Sequence, residues 1–201
     1  MEELLKSTGL IVSQKKEWGE ILTGFETKNR YAVMDLSGKE MYFAAEEEGS
    51  ALLRFFLKAL RPFAISVINL DGTPLLRAVR PFRFFFHELN VYDSKGRLLG
   101  AIKKRFSILR RIYSISDISG REKYKLYGPI LHPWTFEIRD ISGVICGKIT
   151  KKWSGFFKEG FTDADNFGVA FPGEWSAEQK AVFLGAIFLI DFVHFEDKGK
   201  N

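Results

Sequence analysis

Along the chain, one alternation of apolar and polar positions recurs: a short apolar strand running into a glycine turn. It reads Val33-Met34-Asp35-Leu36-Ser37-Gly38, then Val67-Ile68-Asn69-Leu70-Asp71-Gly72, then Val91-Tyr92-Asp93-Ser94-Lys95-Gly96. It returns as Ile115-Ser116-Asp117-Ile118-Ser119-Gly120 and Ile138-Arg139-Asp140-Ile141-Ser142-Gly143. Asp and Ser open such turns, and Gly supplies the positive φ at which the chain reverses. Each copy predicts a β-hairpin, and five hairpins imply about ten strands or more. The turn glycines stand 34, 24, 24 and 23 residues apart. That is too uneven for a solenoid, and no linker separates the copies. The expectation is one mainly-β domain over residues 1–201.

Two segments follow helical spacing instead. Residues 46–60 place acids first (Glu46, Glu47, Glu48) and then Leu52, Leu53, Phe56 and Leu60, with Pro62 as the stop. The second helix is expected from Ser176 to about Val193, opened by a Ser176–Gln179 capping box. Ala181 to Ile190 is an unbroken apolar run of ten, interrupted at Asp191. A helix apolar on all sides lies in a protein core or in a bilayer. Ala181 to Phe195 spans about 22 Å at ~1.5 Å per residue, short of the ~30 Å of a bilayer core. The expectation is a buried helix. A barrel of eight strands has room inside only for side chains, so enclosing a helix calls for ten to twelve. Ala181, Gly185 and Ala186 are small enough to let strands approach.

Charge adds an asymmetry that the net value of +5 conceals. Residues 1–94 sum to −1, residues 95–158 to +11 and residues 159–201 to −5. A basic middle third suggests an anionic partner: a lipid surface, nucleic acid or an acidic protein. Its candidate contacts are Lys103, Lys104, Arg105, Arg110, Arg111, Lys148, Lys151 and Lys152. The bland alternative is a solvated sheet face. Hydrophobic residues at 46% and charged residues at 27% exclude disorder, and 20 Phe promise an aromatic core. A lone cysteine, Cys146, rules out an internal disulfide framework and points to a reducing, cytoplasmic setting; its apolar strand predicts an inert buried thiol. Residues 1–10 do not read as a signal peptide.

Several stretches resemble the phospholipid scramblase family. They are Leu22-Thr23-Gly24-Phe25-Glu26-Thr27 with Asn29 and Tyr31, Tyr42-Phe43-Ala44-Ala45-Glu46, Arg61-Pro62-Phe63 and Arg80-Pro81-Phe82. The strongest are Gly147 to Gly155, Phe161 to Val169 and Leu189-Ile190-Asp191-Phe192. The resemblance covers about Leu4 to Glu196. It implies a tubby-like fold, a closed antiparallel barrel of twelve strands around a C-terminal helix. It also implies ATP-independent, calcium-stimulated, bidirectional movement of phospholipids between leaflets, at a membrane where the protein is peripheral. The alternative is a tubby-like module that binds anionic lipid, or nucleic acid, without transport.

No covalent chemistry is expected. The chain has no G-x-S-x-G, P-loop, G-x-G-x-x-G or C-x-x-C motif, and His87, His132 and His194 lack metal-ligand spacing. The sequence departs from the animal members in having no proline-rich SH3- or WW-type ligand segment and no cysteine cluster for acyl anchors. Where such a cluster would follow Arg80-Pro81 stands Phe82-Arg83-Phe84-Phe85-Phe86-His87. Read as a strand, this puts Phe82, Phe84 and Phe86 in the core and leaves Phe85, beside Arg83, as a candidate membrane contact; the alternative packs Phe85 under the helix of residues 46–60. The calcium candidates are Asp163, Asp165, Asn166 and Glu174. Counted as an EF-hand loop from Asp163, position 5 is Phe167, which cannot ligate. Any Ca2+ site should be weak, and the competing reading is a turn leading into a core strand.

Overall fold

The five glycine turns fold as their sequences require. Gly38, Gly72, Gly96, Gly120 and Gly143 have φ of 76–85°, where an L side chain costs about 1–2 kcal/mol. In each turn the glycine N–H donates to the carbonyl three residues earlier. The side chains of Asp35, Asp93 and Asp117 accept from the N–H groups two and four residues on. A register shift beside each turn absorbs the extra residue as a bulge.

The computed structural model describes residues 1–14, 29–47, 61–83, 85–129, 131, 134–151, 166–172 and 174–195. Twelve strands run β1 Gly9–Gln14, β2 Arg30–Met34, β3 Glu40–Glu46, β4 Phe63–Asn69, β5 Pro74–Arg80 and β6 Glu88–Asp93, then β7 Leu98–Arg105, β8 Arg110–Asp117, β9 Glu122–Pro129, β10 Thr135–Asp140, β11 Ile145–Lys151 and β12 Asn166–Ala170. Each pairs antiparallel with its neighbour in sequence, and β1 pairs with β12 to close the barrel. The glycine turns therefore gather at one end. The connections β5–β6, β7–β8 and β9–β10 gather at the other.

Two helices complete the fold: α1, Glu2–Lys6, and α2, Ala177–His194. Ser176 caps α2; its Oγ accepts from the Gln179 N–H, and the Gln179 side chain accepts from the Ser176 N–H. Every residue from Ala181 to Phe192 is buried. Leu89, Val91, Ile102, Tyr113, Ile115, Leu126, Phe136, Ile138, Ile149, Phe167 and Val169 line the interior against it. A Cβ on Gly185 would stand 2.6 Å from Val91 Cγ2, so this glycine lets α2 lie against the wall. Lys180, 1% exposed, donates to the carbonyls of Leu5 and Ser7 and ties α2 to the end of α1. The expected buried helix inside a twelve-stranded barrel is what forms. No helix among the described residues is long and apolar enough to cross a membrane.

Two local expectations change. Glu46, expected to open a helix, is the last residue of β3; residues 48–60 lie outside the described residues. Residues 81–83 and 85–87 do not form a strand, and Phe84 lies outside the described residues. Pro81 has no N–H to extend the β5 ladder, so the alternation that would have buried Phe82 and Phe86 is lost. They are 37% and 49% exposed, and Phe85 is 85% exposed.

Candidate functional site

The end opposite the glycine turns concentrates the charge. Inside its mouth, four basic side chains surround the last two turns of α2, where the helix presents unsatisfied carbonyls and partial negative charge. Arg61 lies 4.5 Å and Arg80 5.1 Å from the Phe192 ring. Lys151 Nζ is 4.1 Å from the Phe195 ring and 3.8 Å from Asp191 Oδ1. Arg111 lies 4.5 Å over Phe136 and donates to the Pro129 carbonyl.

Two buried acids answer these cations. Glu46 forms a two-pronged pair with Arg61 and accepts from Asn29 Nδ2 at 2.8 Å. Asp191 accepts from the Tyr31 hydroxyl at 2.8 Å. Arg80 donates to His87 Nδ1, which places the ring proton on Nε2. Burial, then the charges of Arg80 and Lys104, push the His87 pKa down to about 4. His194 pairs with the Tyr113 hydroxyl at 2.8 Å. Both histidines thus have structural contacts; His132 lies outside the described residues. Hydrogen bonds and an ion pair fasten the helix end to β2, β8 and β11, and the cation–ring contacts of Arg61 and Arg80 on Phe192 add β5 and the chain just before β4.

The candidate basic contacts divide by strand face. Alternation turns Lys104 toward the side of Ile102, Arg111 toward that of Tyr113 and Lys151 toward that of Ile149. Lys104 and Arg111 are half-buried at the mouth, and burial lowers the pKa of both. Lys151 is 5% exposed and faces Asp191. It is a correction to the expected surface: its charge is spent inside the barrel. Lys103, Arg105, Arg110 and Lys148 lie on the outer wall and are exposed. Lys103 reaches Glu88 at 3.4 Å and Arg105 reaches Glu122 at 3.1 Å. Arg110 and Lys148 have no ion-pair partner among the described residues. Lys152 lies outside them.

Of the calcium candidates, only Asn166 and Glu174 fall among the described residues. Asp163 and Asp165 lie outside the described residues. Asn166 begins β12, whose Phe167, Gly168 and Val169 pair with β1 and β11. Glu174 is exposed beyond the far end of that strand. Asn166 and Glu174 are eight positions apart, and the extended run 166–170 that opens this interval differs from the compact coil of an EF-hand loop. Among the described residues there is no group of three His, Cys, Asp or Glu placed to bind a metal. Cys146 is half-buried rather than fully enclosed, with Sγ 3.5 Å from the Ile138 carbonyl. Burial raises its pKa, so it stays a protonated thiol.

Sequence periodicity did not reveal the exposed apolar tips at this end. Phe106, Ile108 and Leu109 on the β7–β8 connection are 78%, 82% and 74% exposed. Leu131 on the β9–β10 connection is 89% exposed. The one legible signal was the run Arg105-Phe106-Ser107-Ile108-Leu109-Arg110-Arg111, apolar positions bracketed by arginines with no acid between.

The family model described as Scramblase matches residues 1–197. The chain belongs to the scramblase family. It is 33% identical to phospholipid scramblase 1 of Mus musculus and 32% identical to that of Homo sapiens, across 100% of its own length. It is 29% identical to human phospholipid scramblase family member 5 over 98% of its length. The chain spans 65% of the mouse protein and 67% of the human one, and 77% of family member 5. An X-ray structure of an Arabidopsis thaliana protein shares the fold, with a TM-score of 0.50 at 12% identity over 98% of this chain and 95% of that one. In this scramblase-family chain the residues of the Arg61-Pro62-Phe63 and Arg80-Pro81-Phe82 stretches acquire a physical role, since Arg61 and Arg80 hold the end of α2 in the barrel.

Proposed function

We propose that this chain acts on phospholipid membranes as a scramblase-like protein, peripheral to the bilayer, moving or partitioning lipids without ATP. The observation that supports it most is family membership over residues 1–197, joined to a barrel whose exposed cations lie on the outer wall. The relatives are named phospholipid scramblases, and phospholipid is the substrate carried over from them. The interior is filled by α2 and its aromatic packing, so lipid handling belongs to the outer surface and the open-loop end rather than to the lumen. Calcium stimulation enters this reading only as the family resemblance implies it, since Asp163 and Asp165 lie outside the described residues.

The filled lumen also favours a second reading, a module that binds anionic lipid without transporting it. Reconstitution separates the two. Fluorescent-lipid exchange between leaflets of proteoliposomes, with and without calcium, should show acceleration over protein-free vesicles under the first. Vesicle binding with no acceleration would leave only the second. Absence of both would remove phospholipid as the ligand.

A further inference from the structure

The barrel has two ends with exposed apolar residues, and they differ in charge. At the glycine-turn end Ile118, Ile141, Val144 and Ile145 are 55–75% exposed, and the five turns there carry five Asp against four basic residues. At the opposite end, three separate connections raise apolar tips: Phe85 from β5–β6, Phe106, Ile108 and Leu109 from β7–β8, and Leu131 from β9–β10. Residues 81–87 and 105–111 contain no acidic residue and carry Arg83, Arg105, Arg110 and Arg111. Just inside, Trp134 stacks on Phe195 with ring centroids 5.3 Å apart. That contact fixes an amphipathic ring, of a kind favoured at lipid–water boundaries, to the end of the buried helix.

Soluble proteins seldom keep so many large apolar tips on one face without a partner. A flat array of apolar side chains in a cationic collar matches an anionic leaflet. The rings and aliphatic chains enter the headgroup–acyl boundary while arginines meet the phosphates. The glycine-turn end offers comparable apolar area, but its five turns carry five Asp against Lys39, Lys95, Arg97 and Arg121, net −1, whereas residues 81–87 and 105–111 sum to +4.

We propose that the barrel docks end-on to an anionic membrane. Phe85, Phe106, Ile108, Leu109 and Leu131 insert shallowly, and Arg83, Arg105 and Arg110 contact phosphate. The strand axes then stand steeply to the bilayer and the glycine turns face away from it. The inference rests on the phospholipid reading above and adds to it the face and the mode of attachment.

The test is flotation with phosphatidylcholine vesicles, with and without phosphatidylserine. It compares the parent chain with two double variants, Ile108→Ser with Leu109→Ser and, at the other end, Ile141→Ser with Val144→Ser. All four positions are exposed, so melting temperatures should match the parent's, which keeps the comparison free of folding effects. The loop-end pair should lower partitioning onto phosphatidylserine vesicles about tenfold or more, and the turn-end pair should leave it unchanged. Equal loss in both, or full binding by the loop-end pair, overturns end-on docking while the phospholipid reading stands. Binding insensitive to the serine changes but abolished by Arg110→Glu and high salt would replace insertion with purely electrostatic contact. A parent chain that neither binds nor scrambles removes both readings, and one that binds RNA instead assigns the cationic end to nucleic acid.

Discussion

The two ends of the barrel are closed by different physics. At the glycine-turn end each hairpin closes locally, although the start of α2 is also held there by Lys180 on the Leu5 and Ser7 carbonyls. An Asp side chain and a glycine at φ of 76–85° satisfy backbone groups within five residues, and mostly exposed charges flank them. Hydrogen bonds from Arg97, with a further backbone N–H from Lys95, hold the Asp93 carboxyl below its usual range. At the loop end the closures are long-range and buried. Tyr31 meets Asp191 across 160 positions of sequence, and Tyr113 meets His194 across 81. The contrast teaches that the hairpin turns can be altered one at a time, whereas the buried ion pairs of the loop end behave as a unit with the C-terminal turns of α2.

The largest effect expected from that contrast comes from Glu46→Ala, which leaves Arg61 buried without its carboxylate. The two side chains are 2% and 4% exposed, and removing one partner of such a pair costs about 3–5 kcal/mol. Chemical denaturation should show this loss, and a change under about 1 kcal/mol would mean that the loop end is not held by its ion pairs. Next comes pH. The His87 pKa is pushed from 6.5 to about 4 in the fold, so the unfolded chain binds the extra proton. Stability should be full above pH 6.5 and decline as pH falls toward 4, by about 3 kcal/mol at the limit. His87→Gln should flatten that slope in melts across the window, and an unchanged slope would place its origin elsewhere. Smaller still, Gly120→Ala forces a side chain into the left-handed region at φ 76° and should cost about 1–2 kcal/mol, with the rest of the barrel's hydrogen-exchange protection preserved. Smallest is Arg105→Ala on the outer wall, which should change stability by less than about 1 kcal/mol. It should still weaken attachment to anionic vesicles by on the order of 1 kcal/mol at low salt, a difference that vanishes in high salt.

Much of the architecture was legible because its causes lie close together in sequence. The five Asp-or-Asn and Gly turns named the hairpins, and a capping box with an unbroken apolar run named α2. An all-apolar helix too short for a bilayer demanded an enclosing barrel. The site was less legible. Lys151 and Arg105 look alike in a basic stretch, yet their alternation along β11 and β7 puts one beside Asp191 and the other in solvent. Phe82 and Phe86 read as core positions until Pro81 ended the strand that would have buried them. Of the four calcium candidates, Asn166 opens β12 and Glu174 lies four residues beyond its end, while Asp163 and Asp165 lie outside the described residues.

The sequence by itself determined the turns and the buried helix α2, because these follow from φ preferences, capping and an unbroken apolar run that act within a few positions. Only the tertiary structure decided which charges are spent holding α2 and which remain outside, and that the apolar loops meet at one end. Those outcomes depend on barrel closure. Closure brings residues more than a hundred positions apart within hydrogen-bonding distance, and no local rule encodes that proximity.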